Sequence, residues 1–495
     1  QDAVWVHAHY VGADGGRAIE IWVERLFDAL QSAGALQSAA PETDKERWEQ
    51  LPAALLEAQR ALGKPLVLLL DAVDQFSDRN EAVQKLSELL LPPQVALVVS
   101  ATPDISWDAR WQTLELQPLD VPTRTEVIDT FLAQYDKRLD DALRDRIAQD
   151  DATAVPLFLR LLLEELRLHA LYETLPGLAD TLLATRTADR LFLHVLQALD
   201  RDFARPGQAD LATHAAHLIA LSWRGLETHD LAALLATADD PRDPATQQPR
   251  LPDRRLSPLL AHLEPFCLRD AGRISVMHAI LREALRKASN TVQRRRELVE
   301  YFSGDAPDAV IERAYQLWKL EDRQALAQEL GEFTVASIWE EAPILLRDML
   351  VSLGAGSNTP TPEIQSIANA WQGHISVEDD TSTNFDAFGN WLYENAFYYP
   401  AQVWIEALLD WRRQHGAPEN NIIWSLNNLA MLYRDQGKLD AAEPLLQEAL
   451  TISRQALPAG HPDIATSLNN LAMLYHNQHN LEAAEPLLEE ALEIR

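Results

Sequence analysis

One phrase, SLNNLAMLY, begins at Ser425 and again at Ser467, a spacing of 42 residues. The likeness runs on past it: LDAAEPLLQEALTI from Leu439 returns as LEAAEPLLEEALEI from Leu481. A fixed period of this length, with two amphipathic stretches per period, commits the C-terminal region to a stack of helical hairpins. Leu426, Leu429, Ala430 and Tyr433 fall on one face of the first helix of the hairpin, helix A. Ala442, Leu446 and Ala449 fall on one face of the second, helix B. The alanines mark where two helices cross closely, and the large residues fill the layer between hairpins.

This pattern resembles the tetratricopeptide repeat (TPR), in the longer variety seen in kinesin light chains rather than the usual roughly 34 residues. A shift of 41 residues back from the first clear repeat places Phe385, Phe388, Gly389 and Leu392 on helix A positions, and Ala401, Ile405 and Leu408 on helix B positions. Residues 384–415 therefore read as a degenerate repeat, followed by repeats at 422–457 and 464–495. The last helix B would normally be covered by another hairpin, so further repeats or a capping helix are expected beyond Arg495. Asp440 and Glu443 have capping-box spacing, with Pro444 expected in the first turn of helix B. On helix A, which lines the concave side of such solenoids, Asn427, Asn428, Asn469 and Asn470 could clamp the backbone of an extended peptide, since each amide offers a donor and an acceptor. The alternative is that one asparagine of each pair ties neighbouring hairpins together.

A chain of 495 residues with 47% apolar content has room for about three packed domains. Its single cysteine, Cys267, excludes a disulfide scaffold and fits a reducing, cytoplasmic setting. No apolar run approaches the about 18 residues of a membrane span. A net charge of −32 opposes polyphosphate partners, so nucleic acid is not an expected ligand. The first residue is Gln1 rather than Met, which suggests a processed or excised piece.

Residues 1–110 alternate strand and helix patterns. VWVHAHYV (Val4 to Val11), KPLVLLLDAVDQF (Lys64 to Phe76) and VALVVSATPD (Val95 to Asp104) read as strands. Helices are expected from about Arg17 to Ser32, over about 45–62, and from Asn80 to Leu90. Continuous apolar strands between helices predict a parallel sheet covered on both faces. Asp71 and Asp74 come at the end of one such strand, the Walker B pattern. A carboxylate at the C-terminal tip of a central strand faces the ligand crevice of an open α/β sheet and can hold magnesium through its water shell. The bland alternative is a turn or helix cap.

Beyond residue 110, the order of segments along the chain resembles that of the NACHT-type STAND ATPases, a family of signal-transduction NTPases. LQPLDVPTRTEVIDTFLAQYDKRL from Leu116 looks like the start of that family's small helical domain. Ala152 to Arg167 looks like its proline-bearing segment, which would set Pro156 against an adenine. Leu211 to Leu235 resembles part of its winged-helix domain, and Ile274 to Leu285 the final strand and helix. The resemblance implies that His278 senses a β-phosphate and that Asp71, Asp74 and Ser100 line the site, with Asp71 holding magnesium through water. It implies a truncated P-loop-NTPase-like α/β core at 1–112, a helical domain at 113–190, a winged helix at 191–290 and a helical linker at 291–380, ahead of the α-solenoid. ATP or ADP with magnesium would serve a longer parent protein, which could oligomerise through this core.

Departures limit that expectation. No GxxxxGK[ST] occurs in the sequence. Gly12-Ala13-Asp14-Gly15-Gly16-Arg17 lacks the lysine and hydroxyl residue, and Gly63-Lys64 runs into Pro65. Without a phosphate cradle the chain is not expected to hold nucleotide tightly or to hydrolyse it. Asp74 is followed by Gln75 instead of a second acid, the third strand ends without arginine, and His278 is followed by Ala279 rather than aspartate. His278 could equally be a half-buried histidine bonded to backbone. His7 and His9 alternate on a strand with no third metal ligand in view. Cys267 lacks a His/Asp context and reads as a core thiol. THDLAALLATADD, from Thr228, would be the recognition helix of a DNA-binding winged helix, but it carries no Lys or Arg. Two functions remain: a nucleotide-controlled switch with a TPR sensor for a protein or peptide, or a non-cycling TPR scaffold.

Overall fold

The computed structural model describes residues 4–494 except 12–18, 37–39, 42, 77–78, 103, 170, 271, 277, 288–289, 333–337, 340–341, 358, 373–374 and 376–383. The glycine-rich run Gly12 to Arg17 lies outside the described residues. The chain is mostly helical and divides into two compact units, Gln1–Tyr301 and Phe302–Arg495. No described helix is long and apolar enough to cross a membrane.

The first unit opens with β1 (Trp5–Tyr10), α1 (Ile19–Ser32), α2 (Asp44–Leu62), β2 (Leu66–Asp71), α3 (Arg79–Glu88) and β3 (Val95–Val99). The strands form a parallel sheet in the order β1-β2-β3, with Trp5 opposite Leu66 and Leu66 opposite Val95. Leu66, Leu68 and Leu70 are buried with Trp22, Leu26 and Leu30 of α1 and Leu51, Leu55 and Ala58 of α2. Each such leucine contributes about 1.5–3 kcal/mol of burial. Coverage of both faces was expected, yet burial alternates: Val6 and Val98 on the other face are 49% and 54% exposed. Continuous apolar composition therefore overstates how enclosed the described sheet is. Gly63 ends α2 in the left-handed region at φ 62°, so the Gly63-Lys64 pair is a helix stop.

His9, on the covered face of β1, is 4% exposed, and its Nε2 has no hydrogen-bond partner among the described residues. Burial first, then the positive charges of Arg25 and His7, lower its pKa from 6.5 to about 4. The folded state thus binds fewer protons than the unfolded state between those values. Stability of this unit should fall as pH drops from 6.5 towards 4, by about 3 kcal/mol from this group. Urea titrations of wild type and His9→Phe at pH 7 and 4.5 check it: the substitution should remove a large part of the acid sensitivity.

The unit continues through α4 (Val121–Ala133), α5 (Asp141–Gln149), α6 (Pro156–Leu168), α7 (Leu175–Leu183), α8 (Ala188–Phe203) and α9 (Leu211–Leu221). Then come β4 (Leu226–Glu227), α10 (Thr228–Leu234), α11 (Asp253–Leu263), β5 (Cys267–Asp270), β6 (Arg273–Val276), α12 (Ala279–Arg286) and α13 (Thr291–Tyr301). Here the sheet is antiparallel in the order β4-β6-β5. The sequence pattern assigns α13 to the linker at 291–380, but α13 packs on α9. Arg294 meets Asp210 at 2.8 Å, Glu297 meets His214 at 2.8 Å, and the Tyr301 hydroxyl donates to Asp230 at 2.9 Å. The break between units therefore falls after Tyr301 rather than at 290. A helix's sequence shows its apolar face but not which neighbour claims it.

The second unit holds α14 (Pro307–Lys319), α15 (Arg323–Gly331), α16 (Pro343–Leu353), α17 (Pro362–Gln372), α18 (Asn384–Glu394) and α19 (Tyr398–His415). It ends with α20 (Glu419–Asp435), α21 (Leu439–Ala456), α22 (Pro462–Asn477) and α23 (Leu481–Ile494). The last six form three antiparallel hairpins. Gly389, Ala430 and Ala472 share one register, and a Cβ on Gly389 would meet Trp404 Cδ1 at 3.2 Å. Small residues at that register let each helix A approach its helix B. Ahead of them, Trp371 donates its indole N–H to the Leu330 carbonyl at 2.7 Å and packs edge-on against Phe388 and Trp404.

One local expectation fails. The α21 cap is Lys438, with no side-chain cap bond, so Asp440 and Glu443 form no capping box. Gly437, at φ 75°, turns the chain one residue earlier, and Pro444 falls in the second turn of α21. Glu443 instead accepts hydrogen bonds from the Tyr475 hydroxyl at 3.2 Å and the Gln478 amide at 3.4 Å in the next hairpin.

Candidate functional site

In the first unit, Asp71 ends β2 and its carboxylate is exposed at the C-terminal edge of the sheet. The Ser100 hydroxyl, just past β3, donates to Asp71 Oδ1. The same Ser100 oxygen accepts the Ala72 N–H at 2.8 Å. Ala72 sits in the left-handed region at φ 60°, ψ 49°, a conformation that costs a non-glycine residue about 1 kcal/mol or more. Two strand tips are thus tied together around a strained residue directly after the carboxylate. Asp74 is engaged differently: its Oδ1 accepts the Thr102 N–H at 3.2 Å, fixing the loop after β3.

His278, the residue before α12, is half-buried and feels the Asp71 charge despite a separation of 207 residues. Burial, then the Arg160 guanidinium, lowers its pKa, and Asp71 opposes both. Asp71, Ser100 and His278 therefore share one locale. Arg160, which acts on His278, is a residue that sequence patterns did not single out; the signal was its place one turn past Pro156 on α6, where both are exposed. Nothing in the described contacts joins Pro156 itself to the carboxylate. Among the described residues there is no group of three or more side chains able to hold a metal ion. Burial raises the Cys267 thiol to about 12, which removes it as a nucleophile at neutral pH.

In the second unit the four asparagines part company. Asn427 is buried and its side-chain oxygen accepts the Asn470 amide at 3.1 Å, across the α20–α22 step. Asn428 reaches Asn390 of the preceding hairpin at 3.4 Å. Three of the four therefore stitch hairpins, while Asn469 is half-buried. Sequence alone could not separate these roles, because adjacent positions on a helix differ by only about 100°. Met431 and Met473 hold equivalent places on successive helices A, one half-buried and the other 50% exposed. Flexible thioethers suit a surface that adapts to a partner. Asn427→Ala should lower the melting temperature, at about 1–2 kcal/mol for the unpaired Asn470 amide. Asn469→Ala should leave the melt unchanged; a drop equal to that of Asn427→Ala would place it in the stitching set.

Stacked hairpins of this kind define a helical-repeat protein. Residues 403–495 match the tetratricopeptide repeat family, so the C-terminus carries TPR repeats, which point to protein partners. The chain is 26% identical over 291 residues to a TPR repeat-containing protein of Dictyostelium discoideum, covering 55% of this chain and 16% of that protein. It is 28% identical over 251 residues to telomerase protein component 1 of Mus musculus, covering 47% of this chain and 9% of that protein. The chain thus spans a small part of either relative. Among solved structures, a STAND protein with a tetratricopeptide repeat sensor from Pyrococcus horikoshii superposes at TM-score 0.42 and 13% identity, over 99% of this chain and 74% of that one. Kinesin-light-chain TPR-like repeats from Podosopora anserina superpose at TM-score 0.26 and 15% identity, over 42% of this chain and 96% of that one. Both superpositions are too loose to carry an assignment.

Proposed function

We propose that this chain forms the core and sensor parts of a nucleotide-controlled signalling switch of STAND type, in which the repeats hold a protein or peptide. The observation that carries this reading is the convergence of Asp71, Ser100 and His278 beside the strained Ala72. An exposed carboxylate and hydroxyl at the C-terminal edge of a parallel sheet fit the metal side of a nucleotide site. Asp71 would hold magnesium through water, and His278, kept neutral by burial, would answer to phosphate charge. The phosphate side needs a loop of backbone N–H groups, and the described residues supply none to which that role can be given. The parallel sheet supports an α/β core reading, and the β4-β6-β5 sheet beside α8, α9 and α12 supports a structural winged helix. Asn469, Met431 and Met473 are the residues we assign to the partner face of the repeats.

The absence of GxxxxGK[ST] favours the second reading, a TPR scaffold whose core does not cycle nucleotide. Calorimetry with Mg–ATP separates parts of the two. This chain should bind it more weakly than micromolar, and in a longer protein that supplies a phosphate loop Asp71→Ala should abolish magnesium-dependent binding without unfolding. Nucleotide binding indifferent to Asp71→Ala would make the residue a turn and leave the scaffold.

A further inference from the structure

Little apolar burial holds α13, the last helix of the first unit, in place. Of its 11 residues Arg294, Arg295 and Leu298 are buried, so one apolar side chain is enclosed, and Val292 is 57% exposed. An isolated helix of this length is marginal in water, so α13 stays formed only while it is docked on α9. Charge supplies much of the docking. Arg294 meets Asp210 of α9 at 2.8 Å and Glu297 of its own helix at 2.9 Å, and Glu297 meets His214 of α9 at 2.8 Å.

Beside these pairs lies a histidine with no acceptor for a further proton. His217, one turn past His214, is 4% exposed. Its ring bonds the Leu285 backbone of α12, and its Nε2 is buried without a hydrogen-bond partner among the described residues. Burial first, then the Arg294 guanidinium, lowers its pKa; the other charges acting on it are His214 and Asp210 of its own helix. Of the remaining neighbours, α8 presents Asp200 to the start of α9, where it accepts the Ala212 and Thr213 N–H groups, and Arg273 of β6 pairs with Glu227. A lowered histidine pKa gives stability that is present above pH 6.5 and lost as pH falls, because the unfolded chain takes up the proton more readily. Burial raises the Glu297 pKa, but His214 and Arg294 together hold it low, so its share is lost in the same direction at lower pH. Protonated His217 sets a cation against Arg294, the residue that joins α13 to Asp210. We propose that α13 is a proton-sensitive latch, which leaves α9 in mild acid while the rest of the first unit stays folded. The chain passes to the second unit at Tyr301, so release converts about 16 Å of helix into as much as about 36 Å of free chain ahead of that unit.

Hydrogen–deuterium exchange of the full chain at pH 7.5 and 5, corrected for the intrinsic pH dependence of exchange, tests the latch. The α13 amides should lose protection about ten-fold or more at pH 5, while those of α9 and α12 keep theirs. His217→Gln, which cannot take up a proton, should keep α13 protected at pH 5. Arg294→Gln should release α13 at both pH values and leave α9 protected. Equal protection of α13 at the two pH values in the wild type would overturn the proposal. So would joint loss of protection in α9 and α13, which is unfolding of the unit rather than release of one helix. An α13 that opens at pH 5 in His217→Gln as it does in the wild type would also overturn it, since the proton would then act elsewhere.

Discussion

Arg412→Ala is expected to cost the second unit about 3–5 kcal/mol, the range for removing one partner of a buried ion pair. Arg412 lies on α19 and is 1% exposed, yet its guanidinium reaches both neighbouring helices. It donates to the Asn421 carbonyl at 2.9 Å and the Ser425 hydroxyl at 2.8 Å on α20, and pairs with Asp386 of α18 at 2.8 Å. Truncation leaves a cavity, two acceptors without their donor, and a carboxylate without its cation. Because the Asp386 side chain is 25% exposed, water relieves part of that last cost, so the lower end of the range is expected. Urea unfolding should show an early transition for this unit. Arg412→Met with Asp386→Leu should recover most of the loss, because an apolar pair of similar volume leaves neither charge behind. A single substitution that melts like wild type would mean the guanidinium adds nothing to the stack.

The repeat register was legible because it rests on size alone. Gly389, Ala430 and Ala472 recur where helices cross, and a Cβ on Gly389 would lie 3.2 Å from Trp404 Cδ1, a tight contact. Strand and helix order in the first hundred residues was legible from apolar runs, but β2 and β3 stop at Asp71 and Val99, five residues short of the runs that announced them. Coverage of the sheet was not, because Val6 and Val98 have the same composition whether or not anything packs on them. The α13 boundary was hidden for a related reason: its ties to Asp210, His214 and Asp230 are long-range pairs of ordinary charged and polar residues. At the strand tips, the Asp71 pattern was visible and its tie to Ser100 was not. Ser100 was selected by family likeness, and the backbone strain at Ala72 has no sequence signature. Arg160 emerged only through its charge acting on His278. The asparagines were the hardest residues to place, since neighbours on one helix can point into a joint or into a groove.

The switch reading stands on Asp71 and His278 facing one site, and the protonation of His278 reports it most directly. Asp71 holds the His278 pKa up against burial and Arg160, so removing its charge must let that pKa fall further. The measurement is the Cε1–H resonance of His278 followed against pH, assigned by its absence in His278→Gln. Asp71→Asn should lower the His278 pKa further while leaving the melting temperature unchanged. Mg–ADP at millimolar concentration should raise it in wild type, because a phosphate anion beside the imidazole favours its charged form. A His278 resonance that titrates identically in wild type and Asp71→Asn, and ignores Mg–ADP, would contradict a nucleotide-sensing core and leave the repeats as a scaffold.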